Sequence, residues 1–164
     1  MEFCVGIAPE TGLKKSIDDM RFRFDRNLVK ERYPHICVYG PVTDYINIKK
    51  LGSSFKEYLK KRKRFRLSTD IVSFLEKESL VFLNISHKGE MQETYRYLQS
   101  ELGLDPEPYY FPHIVLAKNH TSEELSQIYE ELHGYNFEFD FMADSFTFYV
   151  KEDRFWEEQL TINI

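Results

Sequence analysis

The stretches YPHICV at residues 33–38 and FPHIVL at residues 111–116 repeat one pattern within the chain. Each has an aromatic residue, proline, histidine and isoleucine in that order, which gives His35 and His113 equivalent positions 78 residues apart. Pro and Ile each make up only about 5% of an average protein, so some pair among five histidines would share both neighbours by chance about once in thirty sequences. The pattern therefore indicates a duplicated structural unit.

A duplicated unit of strand and helix would place two equivalent strands side by side about a pseudo-twofold axis, with both histidines directed into one groove. A threonine follows each histidine by eight residues, at Thr43 and Thr121, where we expect a helix to begin. Side chains alternate between the two faces of a strand. The residues expected to share a face are Cys37 and Tyr39 with His35, and Val115 and Ala117 with His113.

The rest of the chain alternates strand and helix patterns in the same way. We expect strands at residues 3–8, 35–39, 65–75, 80–85 and 110–117, and helices at about 13–24, 44–59, 91–102 and 122–132. Gly40-Pro41 is expected to end its strand, and Thr121 with Glu124 predicts a capping box. Three aromatic-rich strands follow; the first alternates Phe137, Phe139 and Phe141 with acidic residues, which indicates antiparallel sheet with one solvated face and these aromatics in the core.

The composition limits which classes of protein this chain can belong to. The 164 residues are 42% hydrophobic and 16% aromatic, enough for a real core, and no Ser/Gly linker divides them, so we expect a single domain over residues 1–164. The net charge of −5 gives no overall attraction to nucleic acid. The first residues have no basic leader, and the apolar run 3–8 is too short to span a membrane, so a cytoplasmic protein without membrane contact is expected.

The two cysteines do not indicate a metal site. Cys4 and Cys37 form no CxxC motif and no Cys/His cluster at ligand spacing, so neither zinc nor a disulfide framework is predicted, and both thiols are expected to fill space in the core. We expect no metal and no cofactor.

Paired histidines suit phosphodiester hydrolysis. A base must activate the attacking oxygen and an acid must protonate the leaving oxygen, on opposite sides of phosphorus, and an imidazole does either near neutral pH. No metal is needed where the pocket donates hydrogen bonds to the phosphoryl oxygens. A single strand histidine is more often structural, but the matched pair favours a functional role for His35 and His113.

These two histidine cassettes, residues 33–38 and 111–116, resemble the paired H-x-[ST]-x motifs of the two-histidine phosphoesterase superfamily, which includes 2'-5' RNA ligase-like proteins and 2',3'-cyclic phosphodiesterases. The order of elements along nearly the whole chain is also similar. The resemblance implies an α+β fold of two pseudosymmetric lobes, with two mainly antiparallel sheets, helices on the outside and a central cleft. It also implies metal-independent hydrolysis, or reversible ligation, of a nucleotide or RNA-derived phosphodiester such as a 2',3'-cyclic phosphate or a 2'-5' linkage, with His35 and His113 as catalytic residues.

The sequence departs from the motif at the phosphate-holding positions. The family has Ser or Thr two residues after each histidine, where this chain has Cys37 and Val115; a thiol is a weak donor and valine is none. The absence of one preorganised donor typically costs a factor of about 10² to 10³ in rate. Tyr39 is the substitute donor we predict. His120, just before a helix, is a further candidate for binding the anionic substrate, although such loop residues are most often only solvated.

One segment is strongly basic although the net charge of the whole chain is negative. It has seven basic residues in the eleven positions from Lys56 to Arg66. Such a run contacts RNA in some proteins, and in others it is the solvated end of a helix. We expect the protein to be a monomer.

Three hypotheses follow for the function. The first is the metal-independent phosphoesterase described above. The second is a binding protein of the same fold, which holds a nucleotide or RNA without turnover because Cys37 and Val115 replace the donors. The third is a structural or interaction module in which both histidines only bond to backbone carbonyls.

Overall fold

The strands and helices follow the duplicated order that the cassettes predict. The computed structural model describes residues 2–31, 35–43, 46–86, 89–103 and 110–164. In chain order these hold β1 (Glu2–Ile7), α1 (Thr11–Phe24), α2 (Arg26–Glu31), β2 (Ile36–Thr43), α3 (Ile48–Leu59), β3 (Phe65–Leu75), a 3₁₀ turn (Glu76–Glu78), β4 (Leu80–Ser86), α4 (Glu90–Leu102), β5 (His113–Lys118), α5 (Ser122–Leu132), β6 (Asp140–Ala143), β7 (Ser145–Glu152) and β8 (Phe155–Asn163).

The strands form two four-stranded sheets. The first sheet has the order β2-β1-β7-β8 and the second the order β5-β4-β3-β6, and every strand pair in them is antiparallel. The cassette strands β2 and β5 are the outer strands of their sheets, and they contact each other. The predicted α+β class with two antiparallel sheets is confirmed.

One apolar core joins the two sheets. Phe65 of β3 and Phe146 of β7 lie with their ring centroids 6.3 Å apart, and the same cluster holds apolar residues of both sheets and all the longer helices. Phe137 and Phe141 are buried there, as predicted. The predicted strand over 137–141 is wrong in its first half, because strand pairing begins only at Asp140; the side-chain hydroxyl of Thr69 instead bonds to the Phe137 carbonyl and accepts from the Phe139 N–H.

A bulge in each cassette strand changes which side chains share a face of the sheet with the histidine. Gly6 pairs with Cys37 but the next residue back, Val5, pairs with Tyr39, so β2 carries one extra residue there. The second sheet has the same irregularity, between the pairs Phe82 with Val115 and Val81 with Ala117. An extra residue moves every later side chain of the strand to the opposite face. Tyr39 and Ala117 therefore lie in the core, and the prediction that they share the faces of the histidines is wrong.

The second cassette begins its helix where predicted, and the first does not. Thr121 caps α5 in a complete capping box with Glu124, which confirms that prediction. Thr43, in contrast, is the last residue of β2, and α3 begins at Ile48 after the N-cap Asn47. The strand continues through Gly40-Pro41, which has a cis peptide bond, because β2 is an outer strand and an outer strand tolerates a residue without an N–H.

A buried arginine ties the first helix to the second sheet. Arg21 is 1% exposed, and its Nε and Nη2 atoms donate to the Val115 carbonyl oxygen at 2.9 and 2.6 Å. A charged donor makes a stronger hydrogen bond than a neutral one. Helix α1 is thereby fixed against β5 at Val115, which belongs to the second histidine cassette. In the part of the chain that the structure describes, no helix is both long and apolar enough to traverse a bilayer.

Candidate active site

His113 stands at the first position of β5 with one ring nitrogen held by the main chain. Its Nδ1 lies 3.1 Å from the carbonyl oxygen of Phe111, and since a carbonyl only accepts, Nδ1 must be the donor. In the neutral ring this leaves Nε2 as the acceptor. The ring stacks on Phe111 at 4.7 Å and meets the edge of Phe82 at 5.4 Å, so its plane is fixed while it stays half-buried.

His35 lies much deeper, at 4% exposure. Its ring stacks on Tyr149 with centroids 4.9 Å apart, and its Nε2 is 3.8 Å from the Cys4 Sγ atom. The imidazole covers Gly6, where a β-carbon would come within 2.8 Å of the His35 Cδ2 atom. Gly6 therefore provides the space in which the imidazole lies flat on the sheet.

A difference between the two lobes at one paired position explains the different depths of the histidines. Gly6 pairs with Cys37 in the first sheet, and Phe82 pairs with Val115 in the second, so Gly6 and Phe82 are equivalent. In the second lobe the Phe82 ring occupies the space that corresponds to the place of the His35 imidazole over Gly6 in the first lobe. His113 is consequently held away from its sheet, and His35 is not.

Tyr110 links the two cassettes. Its hydroxyl donates to the Cys37 carbonyl oxygen at 3.2 Å, and its ring stacks on Tyr95 at 4.6 Å. Burial raises the pKa of the Tyr110 hydroxyl well above its ordinary value of 10.0, and the nearby Cys37 and Tyr95 raise it further. The hydroxyl therefore stays protonated, as donation to a carbonyl requires, and β2 is held beside β5.

This bond predicts a loss of stability at alkaline pH. A tyrosine whose pKa is higher in the folded than in the unfolded state adds stability below about pH 10 and loses it as the pH rises further, because only the unfolded chain ionises. The free energy of unfolding should fall by about 1.4 kcal/mol per pH unit above 10 for this group. Urea titrations at pH 10 and 11 should show a smaller fall for Tyr110→Phe. The exposed Tyr135, changed to Phe, is the matched control; an equal fall in all three proteins would contradict the prediction.

The residues at the motif's Ser/Thr positions do not offer donors to a ligand. Cys37 lies on the His35 face, as predicted, but its Sγ donates to the Gly40 carbonyl oxygen at 3.0 Å. Val115 lies on the His113 face in a small apolar cluster with Leu28 of α2 and Phe82.

Two other predicted binding residues lie elsewhere. Tyr39 is 4% exposed and packs against Phe3 and Tyr95, on the face of its sheet opposite to Cys4 and His35. His120 follows the far end of β5, a strand whose length separates its ends by about 17 Å. Its Nε2 is 3.4 Å from Oδ2 of the buried Asp25, which also accepts from the Lys118 N–H.

Sequence reasoning missed several neighbours of the histidines, among them Gly6, Tyr149 and Phe111. Phe111 could have been found, because the aromatic residue two before each histidine is part of the repeated pattern. Gly6 and Tyr149 come from strands distant in sequence, and only strand register brings them to His35. Among the described residues, no group of three or more His, Cys, Asp or Glu side chains could hold a metal ion.

Comparison of the sequence with models of known protein families identifies one superfamily. The sequence model of the 2'-5' RNA ligase superfamily matches residues 9–154. The chain belongs to this superfamily. The match confirms the resemblance to two-histidine phosphoesterases that the cassettes indicate, and it spans both of them. A search of curated protein sequences found no match to this superfamily member.

Solved structures share the fold of this superfamily member over its whole length. Escherichia coli LigT in complex with 3'-AMP has a TM-score of 0.69 at 12% identity, over 99% of this chain and 97% of LigT. TT0787 of Thermus thermophilus has a TM-score of 0.68 at 10% identity, over 99% and 97% of the two chains. A structure described as a phosphoesterase has a TM-score of 0.65 at 14% identity, over 99% and 98%. At these identities the likeness shows a shared fold.

Proposed function

We propose that this superfamily member is a metal-independent phosphoesterase, which hydrolyses or reversibly ligates a nucleotide or RNA-derived phosphodiester such as a 2',3'-cyclic phosphate or a 2'-5' linkage. The observation that carries the proposal is the pairing of the histidines. His35 and His113 occupy equivalent places at the start of two outer strands that contact each other, and Tyr110 bridges those strands. Complexes of the similarly folded LigT with 3'-AMP, ATP and NADP+ support a nucleotide ligand.

In this proposal the histidines share the acid and base roles. One imidazole takes the proton from the attacking water as its oxygen bonds to phosphorus, and the other gives a proton to the oxygen whose bond to phosphorus breaks. The fixed Nδ1–H of His113 suits this chemistry, because it directs the lone pair of Nε2 away from the main chain. Without side-chain donors at Cys37 and Val115, main-chain N–H groups must stabilise the phosphoryl oxygens, so we expect slow turnover.

The direct test is turnover of 2',3'-cyclic nucleotides and 2'-5' linked dinucleotides by the purified protein in EDTA. We expect hydrolysis that survives the chelator, with one product phosphate monoester for each bond cleaved. Absence of hydrolysis across the whole panel would overturn the phosphoesterase proposal for these substrates.

Phe111 is expected to hold the base of the substrate. It is 40% exposed although it stacks on His113, so it offers an aromatic face beside the reacting group. Stacking of a base on an aromatic side chain contributes about 1–3 kcal/mol. Phe111→Leu should therefore raise KM for a cyclic nucleotide by about tenfold. The exposed Phe155 of β8, changed to Leu, is the control, and a KM equal to that of the wild type in Phe111→Leu would contradict this role.

A second candidate is nucleotide binding without turnover. It is favoured by the environment of the motif positions, where the Cys37 thiol is engaged by Gly40 and Val115 is packed against Leu28. Calorimetric titration with 3'-AMP separates the two candidates. Binding that depends on His113, in a protein that hydrolyses nothing in the panel, would establish the binding role.

A further inference from the structure

The basic segment of residues 49–66 forms an exposed surface that the proposed chemistry does not use. It has nine basic residues and one acidic residue, in a chain that has 22 basic and 27 acidic residues in all. All nine cations are exposed. In the described part of the chain, only two of them, Lys60 and Arg62, form ion pairs with carboxylates. The other seven are Lys49, Lys50, Lys56, Lys61, Lys63, Arg64 and Arg66. Such a concentration of positive charge on an acidic protein attracts a polyanion.

Two of these cations occupy positions that neither a helix terminus nor an outer strand explains. Helix α3 ends at Leu59, and cations stabilise a helix only near its last turn. Arg64 immediately precedes β3, and Arg66 is the second residue of that strand. Basic residues also protect outer strands from pairing with other chains, but β3 is an inner strand of its sheet. Arg64 and Arg66 therefore serve neither purpose.

Strand register puts Arg66 on the same face of the second sheet as His113. Ser68 pairs with Ser86, and Asn84 pairs with His113. Side chains two positions apart on a regular strand share a face. Because β3 and β5 are both antiparallel to β4, they run in the same direction, and the two residues stand near the starts of their strands. They are separated by two strand spacings and by four residues along the sheet, about 17 Å.

The surface beside Arg66 suits a nucleotide chain better than a lipid membrane. Arg66 pairs with Met142, which is 51% exposed, so an apolar side chain that can contact a base lies beside the guanidinium. A helix that binds a membrane exposes large apolar side chains, whereas no such exposed side chain belongs to residues 48–66, all of which the structure describes. Asp140 pairs with Ser68 on the same face, so phosphates are expected to cross β4 rather than β6.

We propose that the basic segment holds the ribonucleotide chain of the substrate, and that the substrate is the end of an RNA rather than a mononucleotide. This inference rests on the phosphoesterase function proposed above. The terminal phosphodiester lies at His35 and His113, and the adjoining nucleotides cross the exposed face of the second sheet. Their phosphates reach Arg66 first, and then Arg64 and Lys63. The distance of about 17 Å corresponds to about five stacked nucleotides, so a dinucleotide is too short to reach Arg66.

Fluorescence anisotropy with the full chain tests this path. The probes are oligouridylates of two and eight nucleotides, each with a fluorescent label at the 5' end and a phosphate at the 3' end. The octanucleotide should bind at least about tenfold more tightly, because only its phosphates reach the cations. If about four phosphates are contacted, its association constant should fall about 10³-fold for each tenfold increase in salt. Equal affinity for the two lengths would overturn the proposal.

Removal of single charges locates the path. Arg64→Ala and Arg66→Ala should each weaken octanucleotide binding by about three- to tenfold at 0.1 M salt and make it less dependent on salt. Lys77→Ala is the matched control, because Lys77 is an exposed lysine in the turn between β3 and β4, at the opposite end of the sheet. An equal loss of affinity in Lys77→Ala would reduce the effect to net charge and contradict the path. Binding of phosphatidylserine vesicles, but not of the octanucleotide, would overturn the proposal in favour of a membrane surface.

Turnover separates this inference from the function on which it rests. The kcat/KM for a terminal 2',3'-cyclic phosphate should be at least about tenfold higher on the octanucleotide than on 2',3'-cyclic UMP. Arg66→Ala should bring the two values closer together, and Lys77→Ala should not. Equal kcat/KM for both substrates would overturn the RNA-end inference and leave the phosphoesterase proposal intact. Absence of hydrolysis of both would overturn the phosphoesterase proposal and, with it, the assignment of this RNA as a substrate.

Discussion

Replacing His113 with alanine should lower kcat for a hydrolysed cyclic nucleotide by about 10²- to 10⁴-fold, the range that one positioned acid or base supplies. The expectation rests on the geometry of the ring. Nδ1 is held by the Phe111 carbonyl, and Phe82 and Phe111 fix the ring plane, so Nε2 is the nitrogen that can exchange a proton with substrate. KM should change much less than kcat, because proton transfer is made only in the transition state.

The matched control is His133→Ala. His133 has the same kind of bond, from Nδ1 to a main-chain carbonyl at 2.8 Å, but it lies exposed at the end of α5. Equal loss of activity in both variants would point to a general effect of histidine removal. Unchanged kcat in His113→Ala would remove this residue from the chemistry, and with it the proposed mechanism.

The second large effect on kcat is expected from a substitution at Gly6, which lies under the His35 ring. Gly6→Ala puts a methyl group 2.8 Å from the His35 Cδ2 atom and 3.1 Å from the Ile36 carbonyl oxygen, so the imidazole must shift from its place on Tyr149. A displacement of about 1 Å in a reacting group can cost about 10²-fold in rate. We expect a kcat loss of that order, measured with the same cyclic nucleotide.

Gly134→Ala serves as the control for this prediction, because nothing lies within 4 Å of the added methyl group. The ring resonances of His35 provide a second measurement, which should move in Gly6→Ala and not in Gly134→Ala. Displaced ring resonances with full activity would mean that the position of His35 does not matter for turnover.

The order of elements and the pairing of the cassettes could be predicted from sequence because both depend on local patterns. The helix with Thr121 at its start is an example: its cap, its capping box and its periodicity lie within a dozen residues, and the structure has it as α5. The strands β3 and β4 are predicted for the same reason, because each is an apolar run within its own short segment, and the structure pairs them antiparallel.

What could not be predicted depends on partners distant in sequence. The bulge after Cys37 arises from pairing with β1, about thirty residues earlier, and nothing within 35–39 shows that Tyr39 would turn into the core. The continuation of β2 through Gly40-Pro41 likewise depends on its place at the outside of a sheet. The depth of His35 is set by Gly6 and Tyr149, which only the assembled first sheet brings together.

The pairing of β1 with β7 has a consequence for the order in which the protein acquires its structure. All strands of the second sheet come from residues 65–143, whereas the first sheet must unite residues 2–7 with residues 145–163. Contacts between such distant segments form slowly because a long loop must close first. During synthesis the second sheet can be complete before β7 is available to pair with β1. The support of His35 by Tyr149 is then among the last contacts to form, and a nascent chain would carry His113 in place before His35.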